Sequence, residues 1–258
     1  MLRSAISFYV DSIPLHPGKR KIVSTILRVL PSMPIRSRYG VLLYSDGNDK
    51  TNMFSLLGEY DDVYEVVSEL QPGMAFIDIG ANAGVFSMVG AKRVGADGIV
   101  VAFEPNHTVF SKLIANASIN ALTNFFPFMA AVGPSMSLVP FAVDSKHTGM
   151  GHLNACGDKR VLQLGGAPLP DLLRTLIEHR KAMIKIDVEG AELEVLKALG
   201  DLVDPKLIET VIVEINGDQQ RRFNTTPKEI YSFMEEKSFR ARLGAGFGTH
   251  YNEIFSQS

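Results

Sequence analysis

The chain has 258 residues, enough for one large α/β domain or a core with an added cap. A formal net charge of −2 provides no long-range attraction for nucleic acid or anionic lipid, and a single cysteine, Cys156, excludes a disulfide framework and a multi-cysteine zinc site. No run nears the roughly twenty apolar residues that span a bilayer, and Asp11 and Pro14 interrupt the start too early for a secretory signal, so a cytoplasmic protein is expected.

Lys19 to Leu30 has helical spacing, with Ile22, Val23, Ile26, Leu27 and Leu30 on one face and basic residues elsewhere. Such a helix could lie on a membrane surface, but its charge cluster is small, and docking on its own domain or on a partner subunit is the expectation. Tyr39 to Tyr44 and Met53 to Leu57 read as two strands around the turn Asp46-Gly47-Asn48-Asp49. Val63, Val66, Val67 and Leu70 mark a helix that stops at Gln71-Pro72-Gly73. Residues 1–70 are thus expected to form a helical and hairpin extension packed on a domain spanning 71–258.

From Ala75 strands and helices alternate regularly. Ala75 to Ile79 is the first strand, followed by a helix over Val85 to Val94; Ile99 to Phe103 is the second, followed by His107 to Asn120. Phe125 to Ala131 is the third. Met136 to Leu169 breaks the rhythm with polar, glycine-rich stretches and short alternating runs, and is expected to be an antiparallel insertion over the ligand edge of the sheet. Met183 to Asp187 is the fourth strand, with a helix over Glu189 to Leu199, and Val211 to Ile215 is the fifth. Thr226-Pro227-Lys228-Glu229 is a capping box, and Phe239 to Leu243 and Tyr251 to Phe255 read as a closing hairpin. The pattern predicts an α/β protein with a mostly parallel, doubly wound sheet and an antiparallel end.

FIDIGANAGVFS, Phe76 to Ser87, carries the strongest chemical signal. It reads as an apolar strand, a glycine turn and the start of a helix, the anatomy of a cofactor loop at the carboxyl end of a parallel strand. About twenty residues beyond Gly84 the second strand ends in Glu104, placed to accept hydrogen bonds from both hydroxyls of a ribose. The ligand is therefore nucleoside-like. A nicotinamide or flavin fold would be expected to show a third glycine in this turn, and here Asn82 stands where the second belongs. The chain also lacks, in its middle region, the Tyr-x-x-x-Lys pair expected of an NAD-dependent sugar oxidoreductase. Such an oxidoreductase is kept as an alternative, as is a non-catalytic interaction module.

FIDIGANAG, AFEPN (Ala102 to Asn106), NASIN (Asn116 to Asn120), AAVG (Ala130 to Gly133), KIDVEGAELEVLKAL (Lys185 to Leu199) and VIVEIN (Val211 to Asn216), in that order, resemble the FkbM family of S-adenosylmethionine-dependent methyltransferases. The resemblance implies a Rossmann-like class I methyltransferase fold with S-adenosylmethionine as cofactor. It implies that Asp78, Gly80, Ala81, Asn82 and Gly84 line the methionine part and that Glu104 holds the ribose. Pro105 and Asn106 would shape the adenine wall, Ala131 and Val132 would flank the base from the third strand, and Asp187 would face the methyl group or the amino-acid moiety. The reaction implied is O-methylation of a hydroxyl on a sugar, glycolipid or secondary metabolite.

A neutral alcohol must lose its proton, so a general base or a metal is expected near the acceptor. Asp187, Glu189 and Glu214 belong to the right sheet tip, and His147 and His152 of the insertion are further candidates. Each has a plainer reading: Asp187 as a helix cap, Glu189 as a first-turn acid, the two histidines as solvated loop residues. Lys185 reads as a buried salt-bridge partner for Glu214. Clustered acids could hold a divalent cation, but no histidine pair or dense aspartate spacing supports one, and no metal ligand is assigned. A nucleic-acid substrate is disfavoured because the chain is not basic and the fourth strand ends in I-D-V-E. The expected partner is a small-molecule or glycan acceptor, and the basic helix leaves a homo-oligomer open.

Overall fold

The computed structural model describes residues 2–16, 18–143, 151–154, 157–244 and 248–257, so His147 and Cys156 lie outside the described residues. The chain begins with α1 (Leu2–Ser12), α2 (Lys19–Val29), β1 (Pro34–Arg36), β2 (Leu42–Tyr44), α3 (Lys50–Leu57) and α4 (Asp61–Val67). Lys19 is turned inward. Its Nζ donates to the carbonyls of Val10, at 2.8 Å, and Ile13, satisfying the end of α1. Met53 to Leu57 is helical, contrary to the strand expected there. Asp49 caps α3 by accepting from the Asn52 amide at 3.1 Å, so what reads as a hairpin turn is a helix start. The hairpin of this region is β1 with β2, pairing Ile35 opposite Leu43.

The alternation follows as β3 (Ala75–Ile79), α5 (Val85–Val94), β4 (Ile99–Phe103), α6 (His107–Ile119) and β5 (Phe125–Phe128). The third strand stops at Phe128, short of Ala131. Ala131 and Val132 form β6 (Ala131–Val132) in the insertion, which continues as β7 (Ser137–Val143), β8 (Gly151–Leu153) and β9 (Lys159–Leu164). These strands make a separate four-stranded sheet of order β6-β9-β7-β8, antiparallel apart from the β6–β9 pair. Then come α7 (Pro168–Ile177), whose Leu169, Leu173 and Ile177 face inward, β10 (Ala182–Ile186) and α8 (Glu192–Leu199). The chain continues through β11 (Ile208–Asn216), α9 (Gly217–Gln220), α10 (Pro227–Glu236), β12 (Phe239–Ala241) and β13 (His250–Gln257).

The main sheet has seven strands in the order β12-β13-β11-β10-β3-β4-β5, parallel except that β13 runs against both its neighbours. Residues of β3, β4 and β10 are buried throughout, as expected for strands covered on both faces. The two faces make two cores. On one, Phe76, Val100, Met183 and Ile212 meet α5 and residues 6–70 of the extension, including Val23, Leu43 and Leu56. On the other, Ile77, Val101, Ile184 and Val213 meet α7, α8 and α10. The chain winds outward from β3 to β5 and returns at β10, so the strand order reverses between β3 and β10. A crevice opens at the carboxyl ends of strands at such a switch point.

Candidate active site

A cleft of about 480 Å³ occupies that crevice. One end is built by the turn after β3. Gly80 has φ +83°, and a Cβ there would overlap the carbonyl oxygen of Asp187. Only glycine lets the β3 and β10 tips approach so closely. The amides of Gly80 and Ala81 donate to the Phe103 carbonyl at 3.0 and 2.9 Å, pinning the turn to β4. Gly84, at φ +86°, opens α5, and a Cβ there would run into Leu113 and Met88. Asn116 braces the turn from α6: its Nδ2 donates to the Ala83 carbonyl at 2.8 Å and its Oδ1 accepts from the Tyr44 amide at 2.8 Å. Asn120 clasps β2 in the same way through Leu42. The NASIN motif is thus a brace between α6, the turn and the extension.

Glu104, at the tip of β4, is 7% exposed and lines the cleft. Its Oε2 accepts from the Asn82 amide at 3.0 Å and its Oε1 from the Asn106 amide at 2.7 Å. Each oxygen keeps a further lone pair for a ligand. Burial pushes this carboxyl up to about 7, against the two amide bonds, which lower it. Asn106 also caps α6 through Thr108, and Pro105, Ala131 and Val132 line the cleft beside it. Ala131 and Val132 reach the cleft from β6 of the insertion, a correction to their expected origin in the third strand.

Asp78 lies behind the cleft wall, 1% exposed. Its Oδ2 accepts from the Ser87 hydroxyl at 2.6 Å, and its Oδ1 is 3.9 Å from Lys185 Nζ. Lys185 donates to Asp187 Oδ2 at 2.9 Å. Lys185 is therefore the partner of Asp187 and Asp78, not of Glu214. Burial alone would lower its pKa, but Asp187 and Asp78 more than offset this and hold it above its ordinary value. Burial pushes Asp78 up, opposed by Lys185 and Ser87.

The other end of the cleft is acidic. Asp187, Glu189 and Glu214 all line it. Asp187 does not cap the following helix, because α8 starts only at Glu192; Glu192 itself accepts from the amides of Val188 and Gly190, at 3.3 and 2.8 Å. Glu189 sits in the intervening loop at φ +61°, with its carboxylate bonded to Gln219 Nε2. Burial, with Asp187 and Glu214 nearby, pushes Glu189 up to about 8. Glu214 accepts from or shares a proton with His250 Nε2 at 2.7 Å. His152, on β8, faces the cleft from the insertion. Among the described residues, no group of three His, Cys, Asp or Glu side chains is placed to hold a metal ion.

Lys50, Phe54 and Tyr60 of the extension and Gln219, His250 and Asn252 also line the cleft, and sequence reasoning missed all six. Phe54 was hidden by the strand reading of Met53 to Leu57, and Lys50 and Tyr60 flank that run. His250 and Asn252 alternate on β13, where the register sets Asn216 opposite His250 and Glu214 opposite Asn252, so both project on the Glu214 face. Extension and C-terminal hairpin also clasp each other: Asn252 Nδ2 donates to Asp62 at 2.8 Å, and Arg242 binds Glu69 through both guanidinium NH groups at 3.1 Å.

A model of the methyltransferase FkbM domain matches residues 78–241, from β3 through β12. The chain belongs to the FkbM methyltransferase family. It is thereby an S-adenosylmethionine-dependent methyltransferase of Rossmann-like fold, and the NAD-dependent alternative falls. Among relatives, this FkbM-family chain is 25% identical over 197 residues to hexuronic acid methyltransferase AglP of Haloferax volcanii, covering 73% of this chain and 72% of that one. It is 28% identical over 210 residues to methyltransferase sdnD of Sordaria araneosa, covering 69% and 78%. A SAM-dependent methyltransferase of Aquifex aeolicus aligns in structure with TM-score 0.42 and 13% identity, covering 81% of this chain and 93% of that one. Among the described residues no helix is long and apolar enough to cross a membrane.

Proposed function

We propose that the chain is an O-methyltransferase acting on a hydroxyl of a sugar or of a sugar-bearing molecule, with the cofactor held at the Glu104 end of the cleft and the acceptor at the acidic end. The observation that carries this reading is the continuity of the two ends: Glu104, the Gly80 turn, Asp187, Glu189 and Glu214 line one cavity. When bound, S-adenosylmethionine supplies an activated sulfonium methyl group.

The residues present fit that cofactor. Glu104, preset by the Asn82 and Asn106 amides, offers acceptor sites to a ribose diol. Val132 and Phe103, both buried, offer apolar walls to a planar base. Gly80 and Ala81 leave the turn open for the amino-acid end, with Asn82 at φ +52° and Asp187 beside it. Asp78 acts through Lys185, holding Asp187 in place rather than touching ligand. At the other end, the buried Glu214, the partly exposed Asp187 and Glu189 and a histidine offer hydrogen-bond acceptors to a polyhydroxyl acceptor and a destination for its proton. A carbohydrate acceptor is further supported by the relative named for hexuronic acid methylation.

The test is a labelled-methyl transfer screen with the purified chain against uronic acids, neutral sugars, nucleotide sugars and glycolipid extracts, with and without magnesium. Methyl ethers at a sugar hydroxyl are expected. Label found only on carboxylate or nitrogen of the acceptor, or no stabilisation of the protein by S-adenosylhomocysteine in a thermal-shift assay, would overturn the reading.

A further inference from the structure

β13 lies beyond the matched domain, yet it delivers a histidine to the acidic end of the cleft. His250 is diagonal to Glu214 on the same sheet face, the closest cross-strand neighbour relation after direct opposition. Its Nε2 lies 2.7 Å from Glu214 Oε1. Glu214 is 8% exposed and its other oxygen, Oε2, has no hydrogen-bond partner among the described residues. The imidazole is the accessible member of the pair: its side chain is 62% exposed and it lines the cleft.

We propose that His250, oriented by Glu214, is the general base that takes the proton of the acceptor hydroxyl; this rests on the hydroxyl-methylation reading above. Burial and Asp187 push the Glu214 carboxyl up, while His250 and Lys185 draw it down. In its ionised form it only accepts, so its bond to Nε2 keeps the proton on Nε2 and leaves the Nδ1 lone pair for the acceptor. The balance is simple. The acceptor oxygen bonds to the methyl carbon, the carbon–sulfur electron pair leaves with the thioether product, and the hydroxyl proton passes to Nδ1. The rival bases are engaged elsewhere: Asp187 with Lys185, Glu189 with Gln219, and His152 Nε2 with Asn154 at 3.4 Å. Three acids act on the ring. Glu214 of β11 raises the imidazole pKa above 6.5 through its hydrogen bond, against burial; Asp187 after β10 and Glu189 in the following loop add to it, and Asp62 of α4 is tied to Asn252 on the same strand.

The experiment uses the full chain and an acceptor from the methyl-transfer screen. His250→Gln is expected to lower kcat by about a hundredfold or more while S-adenosylhomocysteine affinity stays within about twofold. His250→Ala should regain part of the loss with added imidazole. In the wild type, kcat/KM should rise with pH along a limb set by His250, and Glu214→Gln should move that limb to lower pH. Glu189→Gln should keep the limb whatever its effect on rate. A readout independent of turnover is NMR titration of the His250 ring in the cofactor-free protein, expected above 6.5 and lower in Glu214→Gln. A His250→Gln enzyme with wild-type kcat, or one that keeps the acidic limb, overturns the proposal. A ring titration unmoved in Glu214→Gln sinks the pairing alone. Wild-type transfer confined to acceptor carboxylates removes the hydroxyl reading, and the base with it, while the NMR coupling stands.

Discussion

Glu104 is the residue on which cofactor affinity should depend most. Glu104→Ala removes charge-assisted bonds worth about 1.5–3 kcal/mol in total, so calorimetry should show S-adenosylhomocysteine binding weakened at least tenfold; unchanged affinity would remove Glu104 from the site. Asp187 has two duties. Asp187→Asn should reduce turnover, and it should also cost about 1–3 kcal/mol of stability, since Lys185 is 3% exposed while Asp187 is partly solvated. A urea midpoint equal to wild type would mean that Asp78 alone suffices for Lys185. Glu104 was legible because the acid directly follows its strand at a fixed distance from a glycine turn. The Lys185–Asp187 pair was equally local, two residues apart on one face of a strand tip, but the sequence offers several acids near that tip and no way to rank them. His250 was invisible for a different reason: only the register of an antiparallel pair brings it to Glu214.

At the scale of elements, the Gly80 turn and Glu104 come from consecutive strand–turn–helix units, whose period and turn residues sequence records directly. The rest of the cleft wall joins Asp187, Glu189 and Glu214 to residues of α3, α4 and β13, which come from opposite ends of the chain. The run Met53 to Leu57 is short and apolar, a pattern that strand and buried helix share, and only the Asp49 cap decides between them. α7 escaped notice because its start, at Pro168, falls in the stretch read as the insertion. The clasp between α4 and β13 should govern acceptor binding more than folding. Asn252→Ala should cost under about 1 kcal/mol and leave S-adenosylhomocysteine affinity intact, while raising the acceptor KM several-fold. Equal losses for cofactor and acceptor would show that β13 supports the whole cleft instead.

For the molecule as a whole, buried acids set a pH dependence. Glu104, Glu189 and Glu192 are pushed to about 7, about 8 and about 7, each first by burial, against an ordinary 4.5. The folded chain therefore holds these protons more tightly than the unfolded chain does. Their contribution is complete below 4.5 and is lost as pH rises through 7 to 8. The ligand-free protein should melt several degrees lower at about pH 8 than at about pH 5.5, and Glu192→Gln should flatten that slope; a melting point that climbs over this range would contradict the assignment. The doubly wound sheet was readable from alternation alone, whereas residues 6–70 share one of its two cores, a union that no composition shift announces. Since both flanks of the FkbM segment add side chains to the cleft that its interior lines, exchanging those flanks between relatives is expected to alter acceptor choice without rebuilding the Gly80 turn and Glu104. Sequence drift should accordingly run faster in these outer stretches than in the turns beneath them.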